Sequence, residues 1–237
     1  MKVMILAAGL GERMRPLTDT RPKPLLEAGG KSLIEWLIAQ LAREGWTEFV
    51  INHSHLGMQI EERLGDGRAF GVSIAYSREP APLETAGGIA TALPLLGESP
   101  FLAVNADIYC DYPFARLRQY AGRLGERSML GHLVMVDNPA HHPMGDFALH
   151  DGLIATARAP RYTFSGIGLY HPALFVDTRA HHRAKLAPLL VRAADDQRMG
   201  GEHYGGIWHD IGTPERLREL DRMLRAGIRA ADDADSL

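Results

Sequence analysis

Residues 6–18 read LAAGLGERMRPLT, and residues 22–24 read PKP. An apolar run over residues 3–6 leads directly into the glycines and predicts a buried amino-terminal strand. Gly9 and Gly11 carry no Cβ, so the backbone after this strand can turn sharply and bring its N–H groups close to an anion. The stretch therefore predicts an α/β fold whose first strand opens into a phosphate-binding loop.

Cations follow the glycines. Arg13 and Arg15 each present a planar fork of donors that suits phosphate oxygens. Lys23 stands between two prolines, which restrict the backbone and reduce the entropy lost when its ammonium is positioned. The glycine spacing does not fit the dinucleotide-binding fingerprint, because no third glycine follows, and no Gly-Lys-Ser/Thr of a Walker loop is present.

Length and composition restrict the class of protein. A chain of 237 residues with 46% hydrophobic and 23% charged residues fits one α/β domain with a full core. The formal net charge of −3 argues against broad nucleic-acid binding, which needs a basic surface. The single cysteine, Cys110, excludes an internal disulfide and favours a buried, structural thiol in a reducing cytoplasm. No membrane-spanning stretch or signal region is apparent, so we expect neither membrane nor nucleic-acid partners.

Strand-like and helix-like segments alternate through the first half, which favours a mainly parallel, doubly wound sheet. Ser32 and Glu35 form a capping box that opens a helix ending near Gly45. The predicted strands cover residues 3–6, 49–52, 72–76, 101–104, 129–136 and 162–170, with a hairpin over 147–157. The predicted helices cover residues 32–44, 55–64, 86–96, 185–198 and 214–225. Ligands of open α/β sheets gather outside the carboxyl ends of the strands, so the glycine loop and Asp107 should face one crevice.

The whole string, from the strand through residues 22–24, resembles the signature of sugar-1-phosphate nucleotidyltransferases, the enzymes that make NDP-sugars. The resemblance extends to about Arg225. It implies a single nucleotidyltransferase domain over residues 1–226 with a Rossmann-like, doubly wound mixed sheet, and a flexible tail over 227–237. The nucleotide would bind to the first half and the sugar to the second. The implied reaction is in-line attack of a sugar 1-phosphate oxygen on the α-phosphorus of a nucleoside triphosphate, with pyrophosphate leaving.

Two aspartates match the metal ligands of that family. Asp107 ends the sequence Asn-Ala-Asp after an apolar strand, and Asp210 lies in WHDIGT at residues 208–213. The resemblance implies that they bind Mg²⁺, a hard cation that takes carboxylate and phosphate oxygens. The alternatives are a turn residue at a strand end for Asp107 and a capping aspartate before the Thr-Pro helix start for Asp210. Adjacent histidine pairs at 141–142 and 181–182 point apart on most backbones and do not predict a zinc site.

The resemblance also assigns substrate contacts. Lys23 and Arg13 are the catalytic cations. The nucleotide-binding set is Leu6, Ala7, Gly9, Gly11, Arg13, Lys23, Glu79, Thr85, Gly87 and Gly88. Residues 83–87 read LETAG where the family usually has LGTAG, so Glu84 departs from the pattern. Glu12 should point away from the triphosphate, and Glu79 is either an acceptor for N3–H of uracil or a solvated surface residue.

The sugar-binding set is Asn105, Gly145, Asp146, Arg158, Ser165 and Gly166. The family often has a lysine after the hairpin that meets the sugar phosphate. This chain has the sequence ARAPR at residues 157–161, so Arg158 or Arg161 would supply the charge, or both are surface arginines.

The compact length and TFSGI at residues 163–167 look most like family members that use UTP and N-acetylmuramate 1-phosphate in peptidoglycan recycling. Mannose-1-phosphate guanylyltransferases are the competing subgroup. A non-catalytic nucleotide-sugar sensor is the alternative of another class, but it would not need the transfer lysine together with both metal ligands. No oligomerisation extension is apparent, so we expect a monomer.

Overall fold

The computed structural model describes residues 1–125 and 128–234, the last seven of them as helix backbone alone. In this part of the chain the strands are β1 (Val3–Leu6), β2 (Glu27–Ala28), β3 (Lys31–Ser32), β4 (Glu48–His53), β5 (Ser73–Arg78), β6 (Phe101–Asn105), β7 (Ile108–Cys110), β8 (Gly131–Val136), β9 (Phe147–His150), β10 (Leu153–Ala155), β11 (Arg161–Tyr170), β12 (Met199–Tyr204) and β13 (Trp208–Asp210).

The α-helices are α1 (Leu33–Arg43), α2 (Gly57–Leu64), α3 (Glu84–Leu96), α4 (Arg118–Ala121), α5 (Ala187–Asp195) and α6 (Pro214–Ala234). Short 3-10 turns cover Glu12–Met14, Lys23–Leu25, Arg68–Phe70, Phe114–Leu117 and Pro172–Phe175. Among the described residues, no helix is both long enough and apolar enough to cross a membrane.

The central sheet is mixed, as the sequence predicted. Nine strands pair in the order β5-β4-β1-β6-β11-β8-β12-β10-β9. The four strands from β5 to β6 are parallel. β11 runs antiparallel to both β6 and β8, whereas β12 is parallel to β8. The sheet therefore divides into a parallel first half and a mixed second half, which meet at β6 and β11.

Apolar side chains fill both faces of the sheet. One cluster packs α1 and α2 against strands β1, β4 and β6, and a second packs α3 and α5 against the opposite face. A smaller third cluster joins α6 to the segment around Met14, whose side chain is fully buried. The result is a three-layer arrangement in which the glycine loop rests on its own hydrophobic cluster.

The capping box at the start of α1 is confirmed: Ser32 N–H and its hydroxyl both donate to Glu35 Oε2, at 2.9 and 2.7 Å. The carboxyl ends of β1 and β6 also lie side by side, with Leu6 in register with Asn105. Ala106 N–H donates to the Leu6 carbonyl at 3.0 Å. The glycine loop and Asp107 therefore emerge at one edge of the sheet, as predicted.

Several elements differ from the predictions. β2, β3, β7 and β12 were not predicted, and the helix expected over residues 185–198 is shorter. The last helix was predicted to end near Arg225 and instead continues to Ala234. The first part of this helix packs one apolar face into the third cluster through Leu217, Leu220 and Leu224. The flexibility of residues 227–237 stays a prediction. Residues 235–237 of the expected tail lie outside the described part of the chain.

Candidate active site

The glycine loop forms a tight turn against the Lys23 segment. Gly11 has φ +64°, and a Cβ on it would lie 2.9 Å from Thr18 Cγ2 and 3.2 Å from Lys23 Cβ. Both the backbone conformation and the close approach require glycine. The Thr18 hydroxyl donates to the Gly11 carbonyl at 2.9 Å, which ties the loop to the following segment. Lys23 is thereby held beside the loop that the sequence predicted to bind phosphate.

A cavity of about 600 Å³ opens beside this loop. Its wall includes Leu6, Ala7, Gly9, Gly11, Arg13, Lys23, Asn52, Glu79, Leu83, Thr85, Asn105 and Asp107. Because most of the predicted nucleotide-binding residues line it, we refer to it as the nucleotide cavity. At one end of the cavity lie the glycine loop and the cations Arg13 and Lys23. The other end is bounded by Glu79 and Leu83.

Lys23 and Asp107 form an ion pair in this wall. Lys23 is largely buried, since only 12% of its side chain is exposed. Burial of a lysine is tolerated when its ammonium has a charged partner, and Asp107 supplies that partner. The cation and the carboxylate that the sequence assigned to catalysis and metal binding therefore occupy the same point of the cavity.

Asp210 reaches the same region through β13, which pairs with β7 so that Asp210 lies opposite Ile108. Ile211 N–H donates to the Asp107 carbonyl at 2.8 Å, which fixes the two acidic segments together. Asp210 Oδ1 lies 3.2 Å from His141 Nε2, and Oδ2 accepts from Arg216 Nη1 at 2.5 Å. Neither contact was predicted, because His141 and Arg216 lie outside the matched residues.

Gly212 lies between Arg13 and the Asp210–Arg216 pair, and its lack of a side chain lets them approach each other. A Cβ on Gly212 would lie 3.1 Å from Arg216 Nη1, 3.3 Å from Arg13 Nη2 and 3.4 Å from Asp210 Oδ2. The structure thus brings Arg13 to the edge of the Asp210 site. The described residues contain no group of three or more His, Cys, Asp or Glu side chains that could hold a metal by themselves.

A buried hydrogen-bond chain links the glycine loop to the other end of the cavity. Ala7 N–H donates to Asn52 Oδ1 at 2.9 Å, and Asn52 Nδ2 donates to Glu79 Oε1 at 2.7 Å. Leu83 N–H donates to Glu79 Oε2 at 3.0 Å. Burial raises the pKa of the Glu79 carboxyl, although these hydrogen bonds act in the opposite direction. Glu79 is buried rather than solvated. Sequence reasoning missed Asn52, whose only signal was its place one residue before the end of β4.

A second cavity of about 540 Å³ adjoins the first. Four residues line both, namely Leu6, Glu84, Thr85 and Asn105. The rest of its wall includes Gly145, Asp146, Phe147, Arg161, Phe164, Gly166, Tyr170, Lys185 and Leu190. We refer to it as the sugar cavity. The shared wall means that ligands in the two cavities would meet at Asn105, next to Asp107.

Comparison with known proteins identifies the family. The family described as Nucleotidyl transferase matches residues 2–147. The chain belongs to the nucleotidyl transferase family. It is 52% identical over 233 residues to the N-acetylmuramate alpha-1-phosphate uridylyltransferase of Neisseria meningitidis serogroup B, covering 95% of this chain and 99% of that protein.

More distant relatives share the domain. The mannose-1-phosphate guanylyltransferase catalytic subunit beta of Dictyostelium discoideum is 28% identical over 91% of this chain, which spans 62% of that protein. A Bacillus anthracis structure assigned as a glucose-1-phosphate thymidylyltransferase, solved with sucrose, superposes with a TM-score of 0.82 at 20% identity over 95% of each chain. At that identity the structural likeness shows the fold alone. The family match and the 52% identity over nearly the full length of both chains identify this nucleotidyl transferase as a sugar-1-phosphate nucleotidyltransferase, as the sequence predicted.

Most of the predicted nucleotide residues of this nucleotidyl transferase line the nucleotide cavity, but Gly87 and Gly88 do not. Both are buried inside α3. A Cβ on Gly87 would lie 2.1 Å from the His182 carbonyl oxygen, and one on Gly88 would lie 2.6 Å from Glu79 Oε1. These glycines permit close packing behind the cavity wall. Glu12, which we expected to point away, contributes to the cavity wall at the start of the 3-10 turn.

Only some of the predicted sugar-binding residues line the sugar cavity. Gly145, Asp146, Gly166 and Asn105 line it. Ser165 does not, since its buried hydroxyl donates to the Val134 carbonyl at 2.7 Å.

The two candidate arginines after the hairpin also separate. Arg158 is exposed and absent from the cavity wall, whereas Arg161 belongs to it and donates to the Asp146 and Thr156 carbonyls. Arg161 therefore replaces Arg158 as the arginine that faces the sugar cavity.

Proposed function

We propose that the protein transfers UMP from UTP to N-acetylmuramate 1-phosphate and releases pyrophosphate. The observation that carries the proposal is the 52% identity to an N-acetylmuramate alpha-1-phosphate uridylyltransferase, which extends over nearly the full length of both chains. The product would be UDP-N-acetylmuramate, and we place the reaction in cytoplasmic peptidoglycan recycling.

The nucleotide cavity supplies what the transfer requires. Backbone amides of the glycine loop and Arg13 would bind the β- and γ-phosphates. Lys23 would approach the α-phosphate and offset charge as the sugar phosphate attacks and pyrophosphate leaves. Fixing two anions in line contributes more than any covalent role for the protein.

The donor set beside Lys23 fits Mg²⁺. Asp107 and Asp210 present carboxylate oxygens from adjoining backbone segments, and Mg²⁺ takes one or two carboxylates with phosphate oxygens and waters. Asp107 is paired with Lys23 in the cavity wall, and Asp210, which does not line the cavity, is paired with Arg216. When bound, the metal neutralises phosphate charge during transfer. Asp107 and Asp210 would hold it, while Lys23 would turn toward the substrates.

The sugar cavity carries cations suited to an acidic sugar. N-acetylmuramate 1-phosphate bears a lactyl carboxylate as well as its phosphate, whereas hexose phosphates lack the carboxylate. Arg161 and Lys185 both line this cavity. Both side chains are exposed, so we expect a charge-assisted hydrogen bond to the lactyl carboxylate to favour this substrate by about 10-fold or more.

A matrix of nucleoside triphosphates against sugar 1-phosphates, read by pyrophosphate release, tests the proposal. We expect a higher kcat/KM with UTP than with GTP. We also expect a higher kcat/KM with N-acetylmuramate 1-phosphate than with mannose 1-phosphate or glucose 1-phosphate. The highest kcat/KM for GTP with mannose 1-phosphate would replace the proposal with the guanylyltransferase alternative. Binding without release of pyrophosphate for any pair would support the sensor alternative.

A further inference from the structure

Glu84 has an unusual backbone conformation at the junction of the two cavities. It is the first residue of α3 and has φ +60°, in the left-handed region. A side chain in that region is strained, and such strain persists only where the surroundings impose it. Residues with imposed strain cluster at ligand-binding positions.

The surroundings that hold Glu84 come from residues 181–184. Ala86 and Gly87 donate their N–H groups to the Ala184 carbonyl at 3.0 and 3.1 Å, and Ala184 N–H donates to the Leu83 carbonyl at 3.0 Å. His181 N–H donates to Thr91 Oγ1 at 2.8 Å. These bonds fasten the segment over the start of α3 and fix the backbone on both sides of Glu84.

The same segment delivers a cation to the Glu84 carboxylate. Arg183 Nη2 lies 2.9 Å from Glu84 Oε1. Arg183 lines the nucleotide cavity, while Glu84 lines both cavities. An arginine partner offsets the charge of the carboxylate and orients it beside anionic substrates that would otherwise repel it. What separates Glu84 from the other non-glycine residues at positive φ is its place in the walls of both cavities, where a ligand group can reach its carboxylate.

The order of groups along the nucleotide cavity identifies that group. The Glu79–Leu83 end would take the base, and the glycine loop with Lys23 and Asp107 would take the phosphates. The ribose joins base to α-phosphate, so it would lie between these ends, where the wall contains Glu84. A carboxylate only accepts hydrogen bonds, and on the nucleotide side of the shared wall the ribose hydroxyls are the donors that would lie beside Glu84.

We infer that Glu84 is a specificity-determining residue that accepts a hydrogen bond from a ribose hydroxyl of the bound nucleoside triphosphate. The enzyme therefore prefers ribonucleotides to deoxynucleotides through a side chain, at a position where the family signature usually has glycine. The inference rests on the proposed function, since it requires a ribonucleoside triphosphate in the nucleotide cavity.

The test compares kcat/KM for UTP, 2′-deoxy-UTP and 3′-deoxy-UTP in the wild type and in Glu84→Gly. A hydrogen bond to a charged acceptor corresponds to about 10- to 100-fold, so the wild type should prefer UTP over at least one analogue by that factor. Glu84→Gly should lose the preference by reducing activity with UTP. Glu84→Gln, which keeps a neutral acceptor, should give an intermediate ratio.

Asp151→Gly is the matched control. Asp151 is also a carboxylate at positive φ, 50°, but it lies in the β9–β10 turn and lines neither cavity. Both glycine variants should raise the unfolding midpoint because both relieve backbone strain. Only Glu84→Gly should change the preference for ribose. A change of equal size in Asp151→Gly, or an unchanged preference in Glu84→Gly, would overturn the inference.

The two proposals fail separately. If the wild type uses another base, the substrate matrix shows it, and the ribose comparison is made with that triphosphate and its deoxy analogues. If the wild type uses UTP but does not distinguish it from either deoxy analogue, the role of Glu84 is wrong while the proposed function stands.

Discussion

Lys23 Nζ donates a hydrogen bond to Asp107 Oδ2, joining two residues 84 positions apart in the wall of the nucleotide cavity. In this arrangement the carboxylate that would bind Mg²⁺ also holds the ammonium that would approach the α-phosphate. The pair keeps both groups in place before the substrates arrive, and preorganised charge is the main source of electrostatic catalysis.

Asp107→Asn should nearly abolish transfer while leaving the fold intact. Loss of a charge-stabilising group typically costs about 100- to 1,000-fold in kcat. Steady-state pyrophosphate release measures the loss, and circular dichroism checks the fold. Asp66→Asn, at an exposed aspartate paired with Arg68, is the control and should keep full activity. Near-normal turnover of Asp107→Asn, or of the wild type in EDTA, would contradict the two-carboxylate metal site.

Arg161→Ala should raise KM for the sugar 1-phosphate with little effect on KM for the triphosphate, because Arg161 lines only the sugar cavity. Removing a hydrogen bond to a charged group corresponds to about 10-fold or more. Arg158→Ala removes the same charge from an exposed position three residues earlier and should change neither constant. A larger rise in KM for the sugar 1-phosphate in Arg158→Ala than in Arg161→Ala would show that Arg158, and not Arg161, contacts the sugar phosphate.

Gly166→Ala should damage the sugar cavity through Asn105. Gly166 has φ +80°, and a Cβ would lie 2.6 Å from Asn105 Nδ2, so the amide that lines both cavities must move. Gly152→Ala is the control, because Gly152 has φ +75° with no atom within 4 Å of the added Cβ. Urea unfolding should show a loss of about 1 kcal/mol from backbone strain in both variants. Only Gly166→Ala should also lower kcat/KM, and equal kinetics in the two would exclude the effect on Asn105.

Glu61 should make stability depend on pH below about 4.5, its ordinary pKa. Hydrogen bonds from Arg78, assisted by His53, lower the pKa of this carboxyl to about 2. Because the folded-state pKa is depressed, the stabilisation is present above the unfolded pKa and is lost as pH falls toward 2.

Glu61→Gln should therefore destabilise the protein at pH 7, by about 1 kcal/mol, the usual contribution of such a hydrogen bond. The difference from the wild type should shrink when urea unfolding is repeated at progressively lower pH across the acid range. Glu62→Gln, at the exposed neighbouring residue, should show no such dependence. A constant difference at every pH would rule out the lowered pKa as the cause.

Local patterns were enough for the strands and helices that surround the nucleotide cavity. The apolar run before the glycines and the Ser32–Glu35 capping box are encoded within a few residues, so the sequence alone predicts them. β12 reads MGGEHY and was missed, because two glycines usually indicate a loop. In the structure a Cβ on Gly201 would lie 2.5 Å from Ile154 Cδ1, so close packing, rather than turning, explains the glycine.

The candidate site shows the same division. The glycine loop, Lys23 and Asp107 lie on recognisable local motifs, and the structure places them together. The contacts of Asp210 with His141 and Arg216, and of Asn52 with Glu79, join residues from separate elements. Such pairings depend on strand order and loop paths, which no spacing rule in a single sequence supplies.

The wall that the two cavities share restricts how this enzyme could acquire a new sugar substrate. A substitution in the shared wall would alter the nucleotide cavity as well as the sugar cavity; the residues of this wall are Leu6, Glu84, Thr85 and Asn105. Phe147, Phe164, Tyr170 and Leu190 line only the sugar cavity. Substitutions at these four apolar residues, by evolution or by design, could therefore change the sugar preference and leave nucleotide binding intact.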